Sequence, residues 1–273
     1  MQQFSILPKE IICSFWRNRD LIASLVKREV VGRYRGSFLG IAWSFLNPLL
    51  MLITYTFIFS IVFNARWGID KEESRIDFAI ILFVGLIVHG IFAECVNCAH
   101  GLILSNVNFV KKVIFPLEIL PFVTFGSALF NTMISIVVLL LSQLIIKHQL
   151  PWTTVFFPFI LLPLVFATLG FIWFIAALGV YIRDIGQITS ILTTILLFTS
   201  AVFYPISALP QQYQVWLKLN PLAFIIGESR NSLIFNQLPD VKMWIVMLIA
   251  GVLIAWAGFA WFQKTRKGFA DVL

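Results

Sequence analysis

The sequence predicts an all-α integral membrane protein, and three observations carry that expectation. Only 12% of residues are charged and 60% are hydrophobic, where soluble chains carry about 25% charged residues. The apolar residues stand in long blocks rather than at the periods of amphipathic helices or strands, so the solvent around them is lipid. Basic residues fall unevenly on the two sides of those blocks, 13 against 7 of the 20 Lys and Arg.

Taken in order, the blocks predict six spans, at residues 36–64, 78–105, 119–146, 158–181, 185–204 and 243–263. Each supplies roughly the 20 residues a helix needs to cross the bilayer. The fourth and fifth blocks are separated only by Arg183-Asp184, and both leave excess residues at their outer ends. The more basic side holds Lys27, Arg28, Arg33, Arg35, Lys111, Lys112, Arg183, Lys264, Arg266 and Lys267, and it includes both termini. Basic loops stay in the cytoplasm, so both ends are expected inside, in agreement with an even number of spans. The net charge of +7 is then a topology signal rather than a nucleic-acid footprint, and no nucleic-acid partner is expected. The first 20 residues lack the compact apolar core of a cleavable signal, so insertion is expected from the first span.

Residues 1–35 read as cytoplasmic interface helices. Ile11, Ile12, Phe15 and Trp16 share one face, as do Leu21, Ile22, Leu25, Val26 and Val30, with Lys27 and Arg28 turned away. An apolar stripe with a basic rim lies in the membrane interface or packs on the bundle. Residues 36–273 read as one membrane domain. Between spans two and three, Asn106 to Glu118 forms a short amphipathic segment ended by Pro116, exposed to a cytosolic partner. Between spans five and six, Tyr204 to Gly227 holds Pro205, Pro210 and Pro221 with one charge, Lys218. It is too broken to span and too apolar for a free loop, which predicts short helices dipping back into the outer leaflet as an external gate.

No stretch fits the glycine-rich phosphate loop ending in Gly-Lys-Ser/Thr, so any active transport needs ATP and Mg on another chain. No catalytic or metal-binding residues are expected: His89, Glu94 and His100 point in different directions on a helix, and Cys95 and Cys98 do not complete a ligand set with them. Glu94, an ionisable group inside a span, reads as pore-lining or inter-helix. Trp43, Tyr55 and Phe59 fall on one side of span one, with Asn47 and Met51 between them; span five carries Thr189, Thr193, Ser200, Phe198, Phe203 and Tyr204. Aromatic faces with hydroxyls suit sugar rings, although Trp and Tyr also anchor spans at interfaces.

The run Arg28-Glu29-Val-Val-Gly-Arg33-Tyr34-Arg35-Gly-Ser37-Phe-Leu39-Gly40-Ile-Ala-Trp43-Ser-Phe-Leu46-Asn47-Pro48 resembles the signature of type-2 ABC exporter permeases. The similarity is to the branch exporting lipid-linked polysaccharides such as O-antigen, capsule and teichoic acid. Asn108-Phe-Val-Lys111-Lys112-Val-Ile-Phe115-Pro116 resembles that family's coupling segment. Arg183-Asp184-Ile-Gly186 resembles its approach to span five, and Phe203-Tyr204-Pro205 through Pro210 and Asn220-Pro221 its external gate. The resemblance implies a homodimer in the bacterial inner membrane with two cytosolic ATP-binding subunits. It implies O-antigen first, capsule or teichoic acid otherwise, carried on undecaprenyl pyrophosphate along spans one and five. On that basis Trp43, Tyr55, Phe59, Phe198, Phe203 and Tyr204 are assigned to the path and Arg33 and Arg35 to the lipid pyrophosphate. Asn108, Lys111, Lys112 and Phe115 are assigned to the ATPase contact, and Pro205, Pro210, Asn220 and Pro221 to the gate. A membrane enzyme acting on polyprenyl phosphates is the rival, but Glu118 and Asp184 are the only acids in the loops between spans on the cytoplasmic side.

Overall fold

The computed structural model describes residues 5–62, 67, 75–111 and 115–273, and no strand occurs among them. Two short helices, α1 (Pro8–Arg17) and α2 (Arg19–Tyr34), precede span one. Span one is α3 (Trp43–Tyr55), entered through a 3₁₀ turn at Gly40–Ala42 and continued by a π-helical segment, Thr56–Val62. Span two is α4 (Arg75–Ala99), followed by the short α5 (Val107–Lys111), and span three is α6 (Leu120–Lys147). The fourth block folds as a 3₁₀ segment Trp152–Phe156, α7 (Phe157–Ile160) and α8 (Leu162–Tyr181). Then come α9 (Ile185–Thr199), α10 (Gln211–Lys218), α11 (Pro221–Leu233), α12 (Val241–Thr265) and α13 (Phe269–Val272).

Five helical stretches are long and apolar enough to cross a membrane: Gly40–Phe59, Asp77–Ala99, Leu117–Lys147, Trp152–Tyr181 and Val241–Val272. The fifth expected span, 185–204, differs. Helix α9 has 15 residues, about 22 Å at 1.5 Å per residue against a hydrocarbon core of about 30 Å. It stops at Thr199 instead of 204 because the chain reverses at Ala201, whose φ of 53° is left-handed. Span two likewise ends at Ala99, where a turn follows, rather than at 105. The last two residues of the expected first span lie outside the described residues.

Span two is the centre of the bundle. Of its most apolar stretch 78% is buried, against 11% for span one. Helices α8 and α12 pair most closely, through small residues. A Cβ on Gly258 would stand 2.1 Å from the Gly170 carbonyl oxygen, and one on Gly170 2.4 Å from the Ile254 oxygen. Without water to drive association, apolar helices in lipid pack tightly where small residues let backbones touch.

Ion pairs and hydrogen bonds sort the helix ends into two groups. At one end α2 meets α4 and α6 (Arg33–Glu94), the start of α6 meets the end of α12 (Glu118–Arg266), and Tyr181 donates to the Thr265 carbonyl at 2.9 Å. The Trp256 indole donates to the Ile6 carbonyl, which holds the N-terminal segment along the lower half of α12. At the other end Lys147 pairs with Asp77 at 2.9 Å, and Thr153 and Ser232 exchange hydroxyl-to-carbonyl bonds of 2.6 Å each. The excess residues before span four are thus packed on α11.

Helix α2 lies against the bundle: Ile22, Leu25 and Val26 pack on Ile119, Val123 and Phe122. Helix α1 keeps an apolar face outward, with Leu7, Ile12 and Trp16 exposed, as a helix at a membrane surface requires.

Candidate functional site: a polar groove, an aromatic chain and two buried arginines

Three spans enclose a cavity of 590 Å³ that runs along α3 from Ser44 to Tyr55. Its wider polar end is organised by Glu94. Arg33 donates to the Glu94 carboxylate at 2.5 Å, Asn131 donates to the same oxygen at 3.0 Å, and the Tyr34 hydroxyl donates to Asn131 at 3.2 Å. A second Arg33 nitrogen reaches the Ser127 hydroxyl at 3.4 Å. Glu94 is therefore an inter-helix partner that also lines a cavity, as an acid inside a span is expected to be. Glu29 joins this cluster from α2, and burial pushes its carboxyl up, opposed by the Arg33 guanidinium and the Ser127 hydroxyl. Arg35 is exposed and makes no ion pair among the described residues.

The aromatic residues expected on the path are brought together at the far end of span one. Tyr55 and Phe59 lie 6.4 Å apart, Phe59 stacks on Phe203 at 5.9 Å, and Phe203 meets Phe198 at 5.4 Å. The Tyr204 hydroxyl donates to the Phe198 carbonyl at 2.7 Å. Trp43 joins neither this chain of rings nor the groove. The hydroxyls of span five face the other way. The Thr193 hydroxyl exchanges bonds with the Asn97 amide at 3.2–3.3 Å, its carbonyl meets the His89 ring at 3.0 Å, and Thr189 is buried. The outer face of α9 exposes Ile188, Ile191, Ile195 and Phe198 beside Ser190, Thr194 and Thr199.

The residues expected at a gate stand at the starts of short helices. Asn220 is the N-cap of α11, accepting from the Leu222 amide, and Pro221 takes the first helical position where no N–H is needed. The Asn220 amide also donates to the Thr199 carbonyl and the Ser200 hydroxyl, at 3.1 and 3.0 Å, tying α11 to the end of α9. Pro210 precedes α10, and Pro205 precedes the 3₁₀ turn Ile206–Ala208. Helix α11 runs beyond the expected limit at 227 to Leu233, because Ile225, Ile226 and Leu233 bury against the core.

Of the expected ATPase-contact residues, Asn108 and Lys111 are exposed on α5. Phe115 is turned inward, stacked on Phe109 at 4.3 Å. Lys112 lies outside the described residues. Gly186 in the Arg183-Asp184-Ile-Gly186 run has a packing reason: a Cβ there would stand 2.8 Å from the His100 ring.

Two buried arginines were not legible in the sequence. Arg230, counted there as an outer-loop charge, is 5% exposed. It donates to the carbonyls of Ile81, Ala201 and Val202 at 3.0, 2.8 and 2.7 Å, and its guanidinium lies 4.4 Å from the Trp67 ring centroid. The donors to Ala201 and Val202 satisfy carbonyls exposed by the left-handed turn at Ala201 and place positive charge beyond the C-terminus of α9. Arg266 pairs with Glu118 at 2.5 Å and donates to the Phe115 carbonyl at 2.9 Å; Ser14 from α1 and the carbonyl-bound Trp173 complete the junction. One acid thus joins α1, the segment before span three, span four and the end of span six. Removing either partner strands a buried charge, at about 3–5 kcal/mol. Arg266→Ala and Glu118→Ala are each expected to lower the melting temperature in detergent markedly. Arg266→Met with Glu118→Leu should lower it less than either single change.

Among the described residues no three His, Cys, Asp or Glu side chains are placed to hold a metal. The fold defines a helical protein with several stretches long and apolar enough to cross a membrane. Residues 20–234 match the ABC-2 type transporter family, and the chain belongs to it. The chain is 29% identical over 263 residues to the O-antigen export system permease protein RfbA of Myxococcus xanthus, covering 96% of this chain and 98% of that one. The protein of the same name from Klebsiella pneumoniae is 24% identical, covering 93% and 95%. The polysialic acid transport protein KpsM of Escherichia coli is 26% identical, covering 77% and 80%.

Proposed function

We propose that this chain is the membrane permease of an ABC exporter that moves a lipid-linked polysaccharide, O-antigen in the first instance, across the bacterial inner membrane. The observation that carries this reading is similarity along nearly the whole chain to two permeases named for O-antigen export. Capsular polymer is the second reading, favoured by the shorter match to the polysialic acid transporter.

The mechanism needs a second copy and an ATPase. The exposed apolar faces of α3 and α9 fit burial against another copy of this chain, with the substrate path between them. Helix α9 then acts as the short fifth of six spans, its outer end completed by α10 and α11 dipping in from outside. With both termini inside, α5 presents Asn108 and Lys111 to one of two cytosolic subunits that bind ATP and Mg. Arg35 holds the undecaprenyl pyrophosphate at the foot of span one, with Arg33, kept in place by Glu94, adjoining it. A guanidinium fork reads phosphate in a way an ammonium cannot.

Isolation of the tagged chain from its native membrane tests this reading. It should bring down an ATP-hydrolysing subunit whose activity rises with undecaprenyl-pyrophosphate-linked oligosaccharide. Lys111→Cys should crosslink to that subunit and Lys147→Cys should not. Isolation without any ATPase, or the reverse crosslinking pattern, would contradict it.

A further inference from the structure

The groove along span one sets a few polar side chains, Asn47, Glu94, Asn131 and Ser135, into a largely apolar lining. We infer that it is a saccharide subsite, which takes the sugars next to the lipid pyrophosphate by their hydroxyls and C–H faces. This rests on the export reading given above and assigns the polymer a place inside one protomer, between spans one, two and three.

Chemistry at the Glu94 end supports a hydroxyl-rich ligand. Its one arginine is already paired with Glu94, and Glu29 adds a second carboxyl to the same cluster. Arg33 is taken up by Glu94 inside the groove, which leaves the exposed Arg35, outside it, to the phosphates. The same groups suit neutral hydroxyls. Only one Glu94 oxygen is used by Arg33 and Asn131, and a carboxylate has about four acceptor positions. Bonds from Arg33, Tyr34 and Asn131 fix these side chains before a ligand arrives, which lowers the entropy lost on binding.

Further along, Asn47 and Ser135 face the cavity from α3 and α6, and beyond them Met51, Tyr55 and Phe83 form an apolar bed. Polar edges over an aromatic floor match the two-sided chemistry of a pyranose. The volume of 590 Å³ falls in the range of small-ligand sites, about 300–1,000 Å³. An acyl chain in this place would leave the Asn47 amide, which lines the cavity from α3, facing hydrocarbon, and an unpaired amide there is costly.

The test uses the full chain in nanodiscs, with Cys13, Cys95 and Cys98 replaced by Ala. Asn47→Cys and Ser135→Cys are introduced one at a time, and their alkylation by a small thiol reagent is timed. Undecaprenyl-pyrophosphate-linked oligosaccharide from the producing strain should slow both reactions about tenfold or more, the discrimination one or two good hydrogen bonds supply. Undecaprenyl pyrophosphate without sugar, and phosphatidylglycerol, should leave the rates unchanged. Equal protection by the sugar-free lipids would make the groove a lipid seat and overturn the inference, and so would no protection by any of them. Surface polysaccharide in a strain lacking the chain is measured separately, so a failed export reading and a failed subsite give different results.

Discussion

Replacement of Gly258 by leucine is expected to leave no stable protein in the membrane. Helices α8 and α12 are the most closely paired in the bundle, and their seam is backbone against backbone. Even the Cβ of alanine at 258 would stand 2.1 Å from the Gly170 carbonyl oxygen, well inside contact distance. A flexible side chain could swing away, but the obstacle is main chain, so the two spans must separate. Separation opens a void that neither lipid nor protein fills well, since packing is what holds apolar helices together in a bilayer. Gly258→Ala should already reduce the yield of monodisperse protein in detergent, and Gly258→Leu should abolish it. Gly32→Ala is the control: nothing lies within 4 Å of its added Cβ, and helix propensity favours alanine by about 1 kcal/mol.

Arg230→Ala carries the second large effect. The carbonyls of Ala201 and Val202 lose their donors at once, and an unsatisfied buried group costs about 1–3 kcal/mol; the contact with the Ile81 carbonyl of α4 goes as well. The strained left-handed turn at Ala201 loses the anchor that holds it, so the outer end of α9 should come loose from α4 and α11. Lysine keeps the charge but cannot reach three diverging acceptors with one ammonium. Arg230→Lys is therefore expected to insert and remain folded, at reduced thermal stability, with a cysteine at Ala208 alkylated faster than in the wild type. An unchanged rate at 208 in Arg230→Lys would show that the turn is held by other contacts.

The spans were legible because lipid demands uniform apolarity over a fixed length, a property of local sequence. The break between α9 and α12 was legible for the same reason in reverse: three prolines and few charges between apolar blocks predict the short helices found there. Its detail was partly local too, since Asn220-Pro221 is an N-cap followed by a first-turn proline. What escaped the sequence is long-range. Glu118 and Arg266 lie 148 residues apart, and Arg230 reaches Ile81 across 149. Each reads alone as an ordinary loop charge, and nothing adjacent reports its partner. The Thr189 and Thr193 hydroxyls were noted beside the aromatic residues as fitting sugar rings, yet both are buried, and Thr193 bonds Asn97 and His89. Arg33 and Glu94 were each singled out, but only the fold pairs them, and that pairing changes what the site can bind. Gly170 and Gly258 sit on different spans, and their contact depends on the register of two helices that composition does not fix.

The central claim is that this chain carries polysaccharide across the inner membrane. Deletion of its gene, with complementation by the wild-type chain, tests it most directly, with polymer measured separately at the cell surface and in the cytoplasmic membrane. Surface polysaccharide should disappear while undecaprenyl-linked polymer accumulates inside, and complementation should reverse both. Undiminished surface polysaccharide in the deletion strain, with no lipid-linked polymer retained in the membrane, would contradict the account.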